Sequence, residues 1–144
     1  MTIKLNENER LDDLILDGMK LIQRNDEFCF SLDTVLLARF GDVIKGPTLD
    51  LGTGTAAIPL ILSARGATEI TALELNPVMA DIAARNVVLN GKESCVVVRR
   101  GDYRRIEELF PAGSFSVVYA NPPYREPNTG APRFIKQVLR DLQR

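Results

Sequence analysis

The sequence predicts an α/β fold: one sheet of about four parallel strands, with helices on both faces. Three observations predict it. Short apolar runs alternate with helix-patterned segments between residues 47 and 120. A glycine-bearing turn, Asp50-Leu51-Gly52-Thr53-Gly54-Thr55-Ala56, joins the first of those strands to the first of those helices. The run Val96-Val97-Val98 is apolar without alternation, as expected of a strand buried on both faces. Strands that alternate with helices in this way form a parallel sheet with right-handed crossovers.

The elements follow in order. Residues 1–46 read as a lead-in segment, polar and then partly apolar through Leu11, Leu14, Ile15 and Leu16. Ser31 can cap a helix carrying Val35, Leu36, Ala38 and Phe40, ending near Gly41. That helix is expected to cover the edge or the ligand mouth of the sheet. Residues 47–124 read as the core. The first strand is expected over 47–51 and the turn over 52–55. A helix follows over 56–65, with Pro59 near its first turn and Gly66 closing it in a left-handed conformation. The second strand falls at 69–73. Asn76 caps the next helix and Pro77 takes its first position, with Gly91 at its end. A third strand is expected at 95–98, a short helix at 106–110 and a fourth strand at 115–120. Residues 125–144 form a basic tail, and 131–144 read as a basic amphipathic helix.

Bulk properties narrow the chemistry. The chain has 144 residues and a formal net charge of −1, enough for one domain with a real core. It has no histidine. That excludes a Ser-His or Cys-His nucleophile and every His-ligated metal site, so no metal is expected. Cys29 and Cys95 lack metal-ligand spacing and read as free thiols of a cytoplasmic protein. Charged residues such as Arg39, Asp50, Arg65 and Glu74 interrupt every candidate membrane span, and the first ten residues show no signal-peptide pattern. Acidic residues concentrate at the N-terminal end. Basic ones gather as Arg99, Arg100, Arg104 and Arg105, and again as Arg125, Arg133 and Lys136. These groups read either as solvated surface or as a phosphate-binding face for RNA.

Four positions can carry chemistry. Gly52 and Gly54, with Thr53 and Thr55, let a ligand approach the backbone at a helix N-terminus. Glu74 ends the second strand, 20 residues after Gly54. It is either a surface glutamate or the carboxylate that accepts both hydroxyls of a cofactor ribose. Asp102 follows the third strand; it either accepts from an adenine amino group or caps the next helix, and Tyr103 beside it can flank the ring. Asn121-Pro122-Pro123-Tyr124 ends the fourth strand. Pro122 stiffens the loop and constrains Asn121. The Asn121 amide oxygen and the Pro122 carbonyl can accept both hydrogens of one –NH2 group and aim its lone pair at a methyl donor. Tyr124 offers a face for stacking a flat acceptor.

These residues resemble class I S-adenosylmethionine-dependent methyltransferases, with a Rossmann-like fold. The resemblance implies that Asp50, Gly52, Thr53, Gly54, Glu74, Leu75, Asp102, Tyr103 and Asn121 bind S-adenosyl-L-methionine. It implies that Asn121, Pro122 and Tyr124 are catalytic. The motif Asn121-Pro122-Pro123-Tyr124 is similar to that of enzymes methylating adenine amines or glutamine side chains. Residues Phe28 to Phe40 and Leu11-Asp12-Asp13-Leu14 resemble one branch, the bacterial adenine-N6 methyltransferases of valine tRNA. That branch implies methylation of a tRNA adenine next to the anticodon, an RNA partner and a cytoplasmic site. The alternatives are glutamine methylation of a protein such as a release factor, and a non-catalytic cofactor-binding fragment. In the family the fold continues past this motif, whereas 20 residues follow Tyr124 here. The expectation is therefore the N-terminal half of the fold, with an open fourth strand at Val117, Val118 and Tyr119 that invites self-association. Methyl transfer by this half alone is expected to be weak.

Overall fold

The computed structural model describes residues 3–14, 17–26 and 32–121. Two antiparallel strands, β1 (Glu9–Asp13) and β2 (Lys20–Arg24), lie within the lead-in segment, where the sequence analysis assigns none. Opposite charges face each other across the pair, Glu9 against Arg24 and Asp13 against Lys20. Leu21, Ile22 and Gln23 are all buried. The Glu9 side chain is only 3% exposed and meets the Arg85 guanidinium through two hydrogen bonds of 2.7 and 2.8 Å. Those bonds hold its carboxyl down at a pKa of about 2.

Helix α1 (Leu32–Phe40) buries Thr34 and Ala38 and leaves Leu32, Leu36 and Phe40 exposed. Its expected cap, Ser31, lies outside the described residues. Arg65 fixes the helix end by donating to the carbonyls of Ala38 and Gly41, each at 2.7 Å. Gly41 has no room for a Cβ, because the Tyr119 ring occupies that space.

Beyond α1 the expected alternation is present. Strand β3 (Thr48–Leu51) leads into α2 (Ala57–Ala64), and β4 (Ile70–Glu74) leads into α3 (Pro77–Leu89). Then come β5 (Val96–Arg100), a 3-10 turn at Tyr103–Arg105, α4 (Ile106–Leu109) and β6 (Val117–Ala120). Asn76 caps α3 as its sequence predicts, accepting from the N–H groups of Val78 (2.9 Å) and Met79 (3.3 Å). Gly66 takes a positive φ of 107° after α2, and the Ala67 N–H reaches back to the Leu62 carbonyl.

The four later strands form one parallel sheet in the order β5-β4-β3-β6. Alternate residues divide between its faces. Leu49, Leu51 and Leu73 pack with Ile106 of α4. Ile70, Ala72, Val96 and Tyr119 pack with α2 and α3. One expectation is corrected here. Strand β5 is an outer strand, and Val97 is 62% exposed rather than buried. An unbroken apolar run carries no signal of strand order, and the four-residue α4 leaves the Val97 face uncovered. Among the described residues, no helix is long and apolar enough to cross a membrane.

Asparagines of α3 hold the hairpin. Asn86 accepts from the Ile22 N–H (2.6 Å) and donates to the Ile22 carbonyl (3.0 Å). One turn on, Asn90 repeats the pattern with Lys20, at 3.0 and 2.8 Å. Four residues along a helix rise about 6 Å, close to the roughly 6.7 Å spanned by two residues of a strand. The two amides therefore match consecutive outward-facing groups of β2.

Candidate active site

The glycine turn connects β3 to α2. Gly52 and Gly54 adopt left-handed conformations, at φ 64° and 60°. At either one, a Cβ would meet nothing within 4 Å. The backbone thus faces open space that a ligand can enter. Ala56 holds the third left-handed position, at φ 68°, with its methyl group fully buried. A side chain in that conformation costs roughly 1–2 kcal/mol. Helix α2 has no side-chain N-cap bond, which leaves its first N–H groups available to a polar ligand.

Glu74 braces the turn. One carboxylate oxygen accepts from the Gly54 N–H and the other from the Asn76 N–H, both at 2.9 Å. Each oxygen keeps a lone pair for a further donor such as a hydroxyl. Asp50 lies on the central strand, registered with Ala72 on one side and Tyr119 on the other. It is 1% exposed, and neither carboxylate oxygen has a hydrogen-bond partner, nor does the Thr53 hydroxyl. Burial pushes its pKa up to about 7. Thr53, beside it, opposes the shift without closing a hydrogen bond, and the charge of Glu74 adds to it.

Asn121 follows β6. Its amide nitrogen donates to the Thr34 hydroxyl at 2.9 Å, joining the fourth strand of the parallel sheet to α1. Thr34, Gly52, Thr53, Gly54, Thr55, Ala57 and Asn121 line one cleft. The cleft lies where the strand order reverses between β3 and β6, the usual binding crevice of such sheets.

Leu75 is half exposed just after Glu74. Asp102 caps the 3-10 turn and grips the Arg104 guanidinium at 2.6–2.9 Å, which holds its carboxyl below the ordinary range. Asp102 thus makes the cap that one of its two readings expects. Tyr103 packs beside the cluster of Leu49, Leu51, Leu73 and Ile106, with Leu109 and Phe110. Arg99 stacks 4.6 Å from the Phe110 ring centre, and Arg105 pairs with Glu108 at 2.8 Å. Pro122, Tyr124, Arg125, Arg133 and Lys136 lie outside the described residues, as does the segment 125–144. On β6, Tyr119 is buried and donates its hydroxyl to the Asp42 carbonyl at 2.6 Å. Its side chain is therefore part of the core and not of the strand's open edge.

Residues 34–144 match the family described as conserved hypothetical protein 95. The chain belongs to that family. A curated tRNA1(Val) (adenine(37)-N6)-methyltransferase from a Flavobacteriaceae bacterium (strain 3519-10) is 32% identical over 108 residues, covering 74% of this chain and 46% of that relative. A release factor glutamine methyltransferase from Vibrio cholerae is 32% identical over 87 residues, covering 60% of this chain and 29% of the relative. The solved structure of a Pyrococcus abyssi tRNA (uracil-54, C5)-methyltransferase with S-adenosyl-L-homocysteine aligns at TM-score 0.64 and 20% identity. It covers 95% of this chain and 33% of that one. The likeness is one of fold, and the fold is the Rossmann-like class I methyltransferase fold, here as a partial domain. The chain spans about half the length, or less, of the curated relatives it matches.

Two residues of the site escaped the sequence reading. Thr34 reaches Asn121 across 87 positions, and Asn86 reaches the Thr55 carbonyl of the turn at 2.9 Å. Neither contact leaves a local sequence signal; Thr34 lies inside the stretch that resembles the tRNA branch, without being singled out by it.

Proposed function

We propose that this chain binds S-adenosyl-L-methionine and belongs to an enzyme that methylates the exocyclic amine of adenine in RNA, in a tRNA next to its anticodon. The observation that carries the reading is the shared cleft, in which Asn121 faces the glycine turn. The residues present fit the cofactor. Asp50 supplies a buried carboxylate without a partner, suited to an ammonium group. Gly52 and Gly54 leave the backbone open, and Glu74 retains acceptor capacity for ribose hydroxyls. When bound, the cofactor supplies an electrophilic methyl group on a sulfonium centre.

The protein's part is alignment. The acceptor amine is the nucleophile, so no histidine, metal or covalent intermediate is needed. The Asn121 amide oxygen accepts a hydrogen of the amine and directs its lone pair along the transfer axis. An anticodon-loop adenine already lies outside a duplex, so little energy is spent extruding it.

Incubating the chain with labelled cofactor and total bacterial tRNA, followed by nucleoside mass spectrometry, tests the substrate. N6-methyladenosine beside the anticodon is expected. In a parallel incubation with a bacterial release factor, label appearing on its glutamine and not on tRNA would favour the second reading, which the relative from Vibrio cholerae supports. Two substitutions test the roles. Glu74→Ala should weaken cofactor binding by about 1.5–3 kcal/mol in titration calorimetry, the range for a hydrogen bond to a charged group. Asn121→Ala, tested in a chain long enough to be active, should lower turnover at least about a hundredfold while cofactor affinity is retained. Near-normal turnover in that variant would remove Asn121 from the mechanism.

A further inference from the structure

We propose that Thr34 is the positioning residue that orients Asn121, a role that rests on the functional reading above. An asparagine amide has two ends of opposite character. Only the orientation with its oxygen toward the cleft can accept from an –NH2 group; the reverse presents donors to donors. The Thr34 hydroxyl takes the Asn121 nitrogen at 2.9 Å and so leaves the oxygen end for the acceptor. Thr34 is itself 7% exposed and lines the same cleft, so water does not readily replace it.

The elements that meet here are registered independently. Arg65 clamps the α1 end through Ala38 and Gly41, and Tyr119, two residues before Asn121, reaches the Asp42 carbonyl. Helix and strand are therefore held in place without the Thr34–Asn121 bond. The bond's own contribution is to hold the Asn121 side chain in the rotamer that presents its oxygen to the cleft, and loss of one neutral hydrogen bond loosens that hold by about fivefold to tenfold.

Thr34→Val keeps the shape and removes the hydroxyl, while Thr34→Ser restores it. Turnover in Thr34→Val is expected to fall about fivefold to tenfold, with the KM for cofactor unchanged, and Thr34→Ser is expected to recover most of it. A second readout does not depend on activity. The two side-chain amide protons of Asn121, followed by NMR in the ligand-free protein, should move away from the wild-type shifts in Thr34→Val and stay near them in Thr34→Ser. Unmoved resonances in Thr34→Val overturn the proposal whatever the turnover. Moved resonances with unchanged turnover overturn it as well. A wild-type chain that methylates neither tRNA nor release factor counts against the functional reading instead, and the resonances then still decide whether Thr34 holds Asn121. If Thr34→Val unfolds, loss of the wild-type shifts in Thr34→Ser counts against the role, and their retention counts for it.

Discussion

Replacing Asp50 with asparagine is expected to stabilise the ligand-free protein by about 2–4 kcal/mol near pH 8, with the gain vanishing near pH 4. The sign follows from the direction of the shift. Burial raises the folded-state pKa of Asp50 from 3.8 to about 7. The folded state therefore binds its proton more tightly than the unfolded chain does. Stability falls as pH rises from about 4 through 7, and an uncharged side chain escapes that loss. A neutral amide still lacks partners in the same spot, which brings the gain below the full linkage value. Cofactor affinity should move the other way, because the proposed partner of the ammonium group is gone. Thermal unfolding of both proteins at the two pH values is the measurement. Equal differences at pH 4 and pH 8 would show that burial does not raise the pKa of Asp50 in the folded state.

Asn86→Ala should cost about 3–5 kcal/mol, a large part of the roughly 5–15 kcal/mol that holds a domain of this kind together. Asn86 is fully buried and serves three backbone groups at once: the Ile22 N–H, the Ile22 carbonyl and the Thr55 carbonyl. Truncation leaves all three without a partner, at about 1–3 kcal/mol for each buried group. Asn90→Ala is the matched control. Its contacts with Lys20 are exposed, so water can replace the amide and the loss should stay near about 1 kcal/mol. Urea titrations of both variants would separate the two sites. A loss under about 1 kcal/mol for Asn86→Ala would mean that water enters and takes over its bonds.

Sequence reasoning reached the elements whose causes are local. Asn76-Pro77 specifies a helix start by its own chemistry, and Gly66 specifies a helix end; both stand as expected. The glycine turn, Glu74 and Asn121 are legible as candidates because strand ends in a parallel sheet converge, and the structure brings them together. The features that were missed have distant causes. Strand β1 offers a single apolar residue, Leu11, among five, and the outward groups of β2 are satisfied by side chains more than 60 positions away. Burial of β5 depends on which strand is outermost, which its own residues do not encode. The same holds for Thr34, whose part in the site arises only when α1 lies against β6.

The paired asparagines of α3 also bear on how this chain behaves among its copies. A two-stranded ribbon ordinarily offers a row of unclaimed amides along its outer side, a template on which another polypeptide can grow. Here the backbone groups of Lys20 and Ile22 are taken by a helix of the same chain. The outer edge of β2 is thereby closed to intermolecular strand addition for as long as α3 is folded, and its resistance to strand growth becomes a property of the helix.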